Sequence, residues 1–82
     1  MTTKLLSVWV VDDDASVRWV LERALTNEGI DTRVFDSADA LFDALREAVP
    51  DVLISDVRMP GTDGLEAMHR LAREGYSFPV IV

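Results

Sequence analysis

The chain has 82 residues, is 49% hydrophobic, contains no cysteine and carries a formal net charge of -7. That size supports one domain around one core, and the lack of thiols excludes a disulfide framework and a cysteine metal site, pointing to a reducing, cytoplasmic setting. The acidic balance excludes nucleic-acid binding through this segment, because affinity for a phosphate backbone needs clustered Lys and Arg. The opening apolar run breaks at Asp12, too early for a membrane span.

Residues Leu5 to Val11 (LLSVWVV) form a nearly unbroken, β-branched apolar run, the pattern of a strand covered on both faces of a parallel sheet. Trp9 is expected in the core. After Asp12-Asp13-Asp14, the apolar residues Val17, Val20, Leu21, Ala24 and Leu25 follow helical spacing, which predicts an amphipathic helix over Ala15 to Glu28 with Asp14 or Ser16 as N-cap and Gly29 as stop. Trp19 lies opposite that stripe at about 100° per residue, so it is expected to be exposed and is a candidate partner contact.

Residues Ile30 to Phe35 mix polar and apolar side chains, as an edge strand does. Ser37 then caps a helix to about Ala48, with Leu41, Phe42, Ala44, Leu45 and Ala48 inward and Pro50 beyond its end. Asp51 to Asp56 is a second buried strand, followed by a Pro60-Gly61 and Asp63-Gly64 loop. A third helix follows with Leu65, Met68, Leu71 and Ala72 inward, and a fourth strand begins near Phe78. Met59 and Met68 read as packing residues, and the single His69 as a surface residue.

Alternation β-α-β-α-β-α-β calls for an open, parallel α/β sandwich with right-handed crossovers. The sequence ends at Val82 inside an apolar PVIV run, so residues 1–82 are expected to be one domain, incomplete at its C-terminal end, with one sheet face thinly covered.

Ligands of such sheets bind at the carboxyl ends of strands, near the point where strand order reverses. Asp12-Asp13 closes the first strand and Asp56 closes the third. Two like charges about 4 Å apart repel by roughly 4 kcal/mol at an effective dielectric near 20, so converging acids require a proton or a metal. Mg²⁺ is the expected cation, because it takes one or two carboxylates, a carbonyl and waters, and leaves positions for phosphate oxygens. A carboxylate beside such an ion can itself be the nucleophile. Asp56 is the candidate, standing alone at a strand end before a turn.

The stretches VVDDDASVRWVLERAL and DVLISDVRMPGTDGLE resemble the flavodoxin-like receiver domains of bacterial two-component response regulators, and the first is especially similar to those of enhancer-binding activators in nitrogen regulation. The resemblance implies that Asp56 is the phosphoacceptor, Asp13 the direct Mg²⁺ ligand, Asp12 an acid holding the metal through water, and Arg58 the donor of a backbone carbonyl. It further implies a sensor histidine kinase as phosphoryl donor, a homodimeric parent protein, and an output that is conformational rather than catalytic. The family's switch Thr or Ser and its Lys would fall after Val82. VWVVDDDAS is also similar to aspartate-nucleophile phosphatases of the haloacid dehalogenase family, which would make Asp12 the nucleophile and Asp14 the acid/base; Ser16 departs from their pattern and Asp56 would be unused.

Overall fold

The computed structural model describes residues 5–55 and 64–81, the last of these stretches without the side chains of residues 64 and 65. The elements alternate as β1 (Ser7–Val11), α1 (Ala15–Asn27), β2 (Asp31–Phe35), α2 (Ala38–Leu45), β3 (Val52–Ser55), α3 (Gly64–Arg73) and β4 (Val80–Ile81). All pairings are parallel, and the sheet order is β2-β1-β3-β4. The order reverses at β1: the first crossover steps outward to β2, and the next returns past β1 to β3. With right-handed crossovers this reversal puts α1 on one face and α2 and α3 on the other.

β2 is an edge strand, as its mixed pattern predicts, and β1 lies inside, buried from Val8 to Val11. Alternation along the strands separates the two faces. Trp9, Val11, Phe35 and Leu53 face α2 and α3, where they join Ala38, Leu41, Phe42, Leu45, Ala67 and Leu71 in the main core. Trp9 packs on Phe35 with ring centroids 5.2 Å apart, and the Arg33 guanidinium lies over Trp9 at 5.1 Å. The Tyr76 hydroxyl donates to the Leu45 carbonyl at 3.3 Å, tying the turn after α3 to the end of α2.

The opposite face is thinner. Val8 and Val10 are buried there, but Val34, Val52 and Ile54 are half-buried. Among the described residues α1 is the helix on this side, and none of its residues is fully buried. Its apolar stripe is therefore only partly used: Leu21 and Leu25 are half-buried, whereas Val17 is 37% and Val20 55% exposed, and Ala24 is exposed. Ser16, Val17, Val20 and Leu21 line an apolar recess of about 300 Å³.

Local signals explain the ends. Asp14, in extended backbone, caps α1 by accepting from the Ser16 and Val17 N–H groups at 2.8 and 3.4 Å. At the other end Gly29 takes φ 77°, and the Gly29 and Ile30 N–H groups donate back to Thr26 and Leu25, a left-handed terminus that glycine adopts without a Cβ penalty. Ser37 caps α2 through the Ala40 N–H.

Two inward faces differ from the spacing read along the chain. α2 ends at Leu45, three residues short of Ala48, which is exposed; the backbone tightens into turns there, with Arg46 N–H donating to Asp43, before buried Pro50. In α3 the buried pair is Ala67 and Leu71, with Met68 half-buried and Ala72 exposed, so the helix presents a face one position earlier. The Arg70 stem contributes to that face by bringing its guanidinium 3.8 Å from the Phe42 ring centroid. The side chain of Leu65 lies outside the described residues.

Candidate functional site at the strand-order reversal

β1 and β3 are neighbours in register, with Val11 opposite Ser55 as the last residue of each strand. The carboxyl ends of the two strands are thus level and adjacent at the reversal of strand order. Asp12 and Asp13 follow β1 directly.

Asp12 is held at each of its polar functions. Its N–H donates to the Phe35 carbonyl at 3.1 Å, continuing the β1–β2 ladder one residue past the strand. Its carbonyl accepts from Arg18 Nη1 at 2.7 Å. Its carboxylate Oδ1 accepts from the Asp14 N–H at 2.9 Å, an Asx turn that starts the bend into α1. Asp12 is half-buried and Asp13 exposed. Among the described residues nothing donates to Asp12 Oδ2 or to either oxygen of Asp13.

Arg18 is a functional candidate that spacing along the chain does not single out. One signal was available: it sits in the first turns of α1, where the helix dipole disfavours a cation, so a partner was to be expected. Asp14, by contrast, is occupied as the helix cap.

The donor chemistry fits a hard divalent cation. Asp12 and Asp13 offer anionic oxygens at a crevice of the sheet, the chain has no cysteine, and His69 is exposed on α3. Among the described residues no group of three or more His, Cys, Asp and Glu is placed to hold a metal ion. A metal ion held by Asp12 and Asp13, which follow β1, would take a further ligand from outside that set. Asp56 and Arg58, together with Met59, Pro60, Gly61 and Asp63, lie outside the described residues. Trp19 is 59% exposed on α1, with the Arg23 guanidinium 5.0 Å from its ring centroid. No helix among the described residues is long and apolar enough to cross a membrane.

A parallel sheet ordered 2-1-3-4, with an acid pair where the order reverses, is a flavodoxin-like sheet with its crevice at the carboxyl ends of the strands. Residues 8–82 match the response regulator receiver domain family, and the chain belongs to that family. It is a receiver domain of the type found in NtrC and FixJ two-component regulators. It is 50% identical over 74 residues to the DNA-binding transcriptional regulator NtrC of Klebsiella pneumoniae, covering 90% of this chain and 16% of that protein. The same regulator of Escherichia coli K12 is 48% identical over 75 residues, covering 92% and 16%. The transcriptional regulatory protein FixJ of Bradyrhizobium diazoefficiens is 40% identical over all 82 residues, which span 40% of its length.

Solved structures agree. The beryllofluoride-activated NtrC receiver domain superposes with a TM-score of 0.82 at 45% identity, covering 95% of this chain and 63% of that one. Full-length FixJ from B. japonicum superposes with a TM-score of 0.86 at 38% identity, covering 95% and 38%. The phosphatase reading is not supported: the family match is to receivers, and the Asp14 carboxylate that would serve as acid/base caps α1.

Proposed function

We propose that this segment is the phosphoacceptor module of a two-component system, with Asp56 receiving the phosphoryl group. One observation carries the reading: Val11, bonded to Asp12, is the register partner of Ser55, bonded to Asp56. In the proposed site Asp13 is the direct acidic ligand of Mg²⁺, Asp12 acts through water, Asp56 contributes an oxygen, and Arg58 contributes its backbone carbonyl. The bonds that fix Asp12 support this division, because they engage one of its two carboxylate oxygens and leave Asp13 without a protein donor among the described residues. When bound, Mg²⁺ would neutralise acidic charge and phosphoryl oxygens at the crevice.

Receiver domains of response regulators are phosphorylated by sensor histidine kinases. The Asp56 carboxylate would attack phosphorus in a phosphohistidine; the new O–P bond forms as the N–P bond breaks, and the imidazole leaves. The product is a change of conformational population, so the module is not itself an enzyme. Exposed Trp19 is assigned as a contact for the donor protein, and Mg²⁺ as the cofactor.

The identities to NtrC support a place in a longer, homodimeric, cytoplasmic transcription activator of the enhancer-binding type concerned with nitrogen regulation. DNA contact would then come from elsewhere in that protein. The test is transfer from a phosphorylated histidine kinase to the full chain in the presence of Mg²⁺. Label enters the wild type and not Asp56→Asn; equal labelling of both would refute the assignment.

A further inference from the structure

We infer that Arg18 is a positioning residue for the acid pair, setting the direction in which Asp13 leaves β1 and thereby the affinity and selectivity of the site for Mg²⁺. The inference rests on the reading of Asp12 and Asp13 as the metal-holding acids.

The Asp12 carbonyl belongs to the rigid unit joining residues 12 and 13, so fixing that oxygen fixes where the Asp13 N–H and Cα lie. Arg18 Nη1 donates to that oxygen at 2.7 Å from the first turns of α1. The Asp12 N–H is already fixed on Phe35 and its Oδ1 on the Asp14 N–H, so Arg18 holds the remaining backbone group of the residue. The contact spans a gap of six residues between strand end and helix, and it is part-buried, where a hydrogen bond is less exposed to competition from water. Arg18 also begins the helical ladder, its N–H donating to the Asp14 carbonyl at 3.1 Å. One residue therefore ties the helix start and the acid pair into one rigid piece.

A cation beside a metal site opposes metal binding by charge alone. Arg18 is tolerated there because it serves geometry, and the two effects have opposite signs. Removing an arginine that acted only through space would strengthen binding of any divalent cation. Removing a positioning arginine weakens it, and weakens Mg²⁺ more than Ca²⁺, because Mg²⁺ demands near-octahedral geometry while Ca²⁺ accepts variable coordination.

The experiment titrates Mg²⁺ and Ca²⁺ into the full chain, without a phosphoryl donor, following amide shifts of residues 12–14. Arg18→Met keeps the apolar stem and loses the donor. It is expected to raise the Mg²⁺ Kd about tenfold, the lower range for loss of an outer-sphere partner, with a smaller change for Ca²⁺. Arg18→Lys, which keeps a donor, is expected to recover most of the loss. If Arg18→Met does not fold, Arg18→Gln, too short to reach, replaces it with the same expectation. An unchanged or lowered Mg²⁺ Kd, or equal weakening of both ions, would overturn the proposal. Wild type and Asp13→Asn separate this failure from the larger one: a wild type that does not bind Mg²⁺, or an Asp13→Asn that binds as tightly, refutes the site itself rather than the role of Arg18.

Discussion

Val11 and Ser55, the final residues of β1 and β3, face each other across a parallel pair in which β1 is buried throughout its last four residues. This pairing converts two distant stretches of sequence into neighbours at one crevice. It also places the acids that follow β1 where α1 turns away, so that the bend held by Asp14 and Arg18 shapes the site.

The capping role of Asp14 separates the receiver from the phosphatase reading. Asp14→Ala is expected to cost about 1 kcal/mol through loss of the N-cap, whereas Asp14→Ser, which keeps a capping oxygen, is nearly neutral. Urea unfolding measures both. Phosphoryl uptake at saturating Mg²⁺ is expected to survive Asp14→Ser; its loss in a variant of unchanged stability would return Asp14 to the chemistry.

Trp9 anchors the main core, 2% exposed and packed against Phe35 with the two rings tilted by 58°. Trp9→Ala is expected to destabilise by about 3 to 5 kcal/mol, enough to unfold much of the population of a small domain. Leu41→Ala, at 1% exposure, is expected to cost about 2 to 5 kcal/mol. Circular dichroism during denaturation reads both, and losses under about 1 kcal/mol would place the core elsewhere.

Trp19 gives the opposite expectation. Because it is 59% exposed, Trp19→Ala is expected to change stability by less than about 0.5 kcal/mol. As a partner contact it raises KM for phosphotransfer from the kinase while leaving uptake from a small phosphoryl donor unchanged. Unchanged kinase KM would reduce Trp19 to a ring lying beneath Arg23.

The open stripe of α1 predicts behaviour of the 82-residue chain by itself. Val20, 55% exposed and lining the apolar recess with Val17 and Leu21, is expected to be a site for self-association. Val20→Asp is expected to lower concentration-dependent association in analytical ultracentrifugation with a stability change of about 0.5 kcal/mol or less. Association equal to that of the wild type would show that this stripe does not drive it.

Much of this architecture was legible from periodicity, because buried parallel strands read as apolar runs and amphipathic helices as three-to-four spacing. The exposure of Trp19, the burial of Trp9, the edge position of β2 and the stop at Gly29 all follow from local pattern. The inner faces of α2 and α3 erred at Ala48 and Ala72, since spacing shows a stripe but not where a helix frays or which edge of the stripe meets the sheet. The stripe of α1 and a thinly covered sheet face are both expected from the sequence, but which stripe residues stay open, here Val17, Val20 and Ala24, depends on what else packs on that face, which no local pattern encodes. The place of Arg18 in the first turns of α1 signals only that it needs a partner; which partner is not legible, because it is a backbone carbonyl, and carbonyls have no letter in a sequence.

In the proposed site, position 56 accepts phosphorus while positions 12 and 13 hold the metal. Reduction of the phosphorylated full chain with tritiated borohydride converts an aspartyl phosphate to labelled homoserine, and peptide mapping locates it. The label is predicted at position 56; label at position 12 would contradict the account.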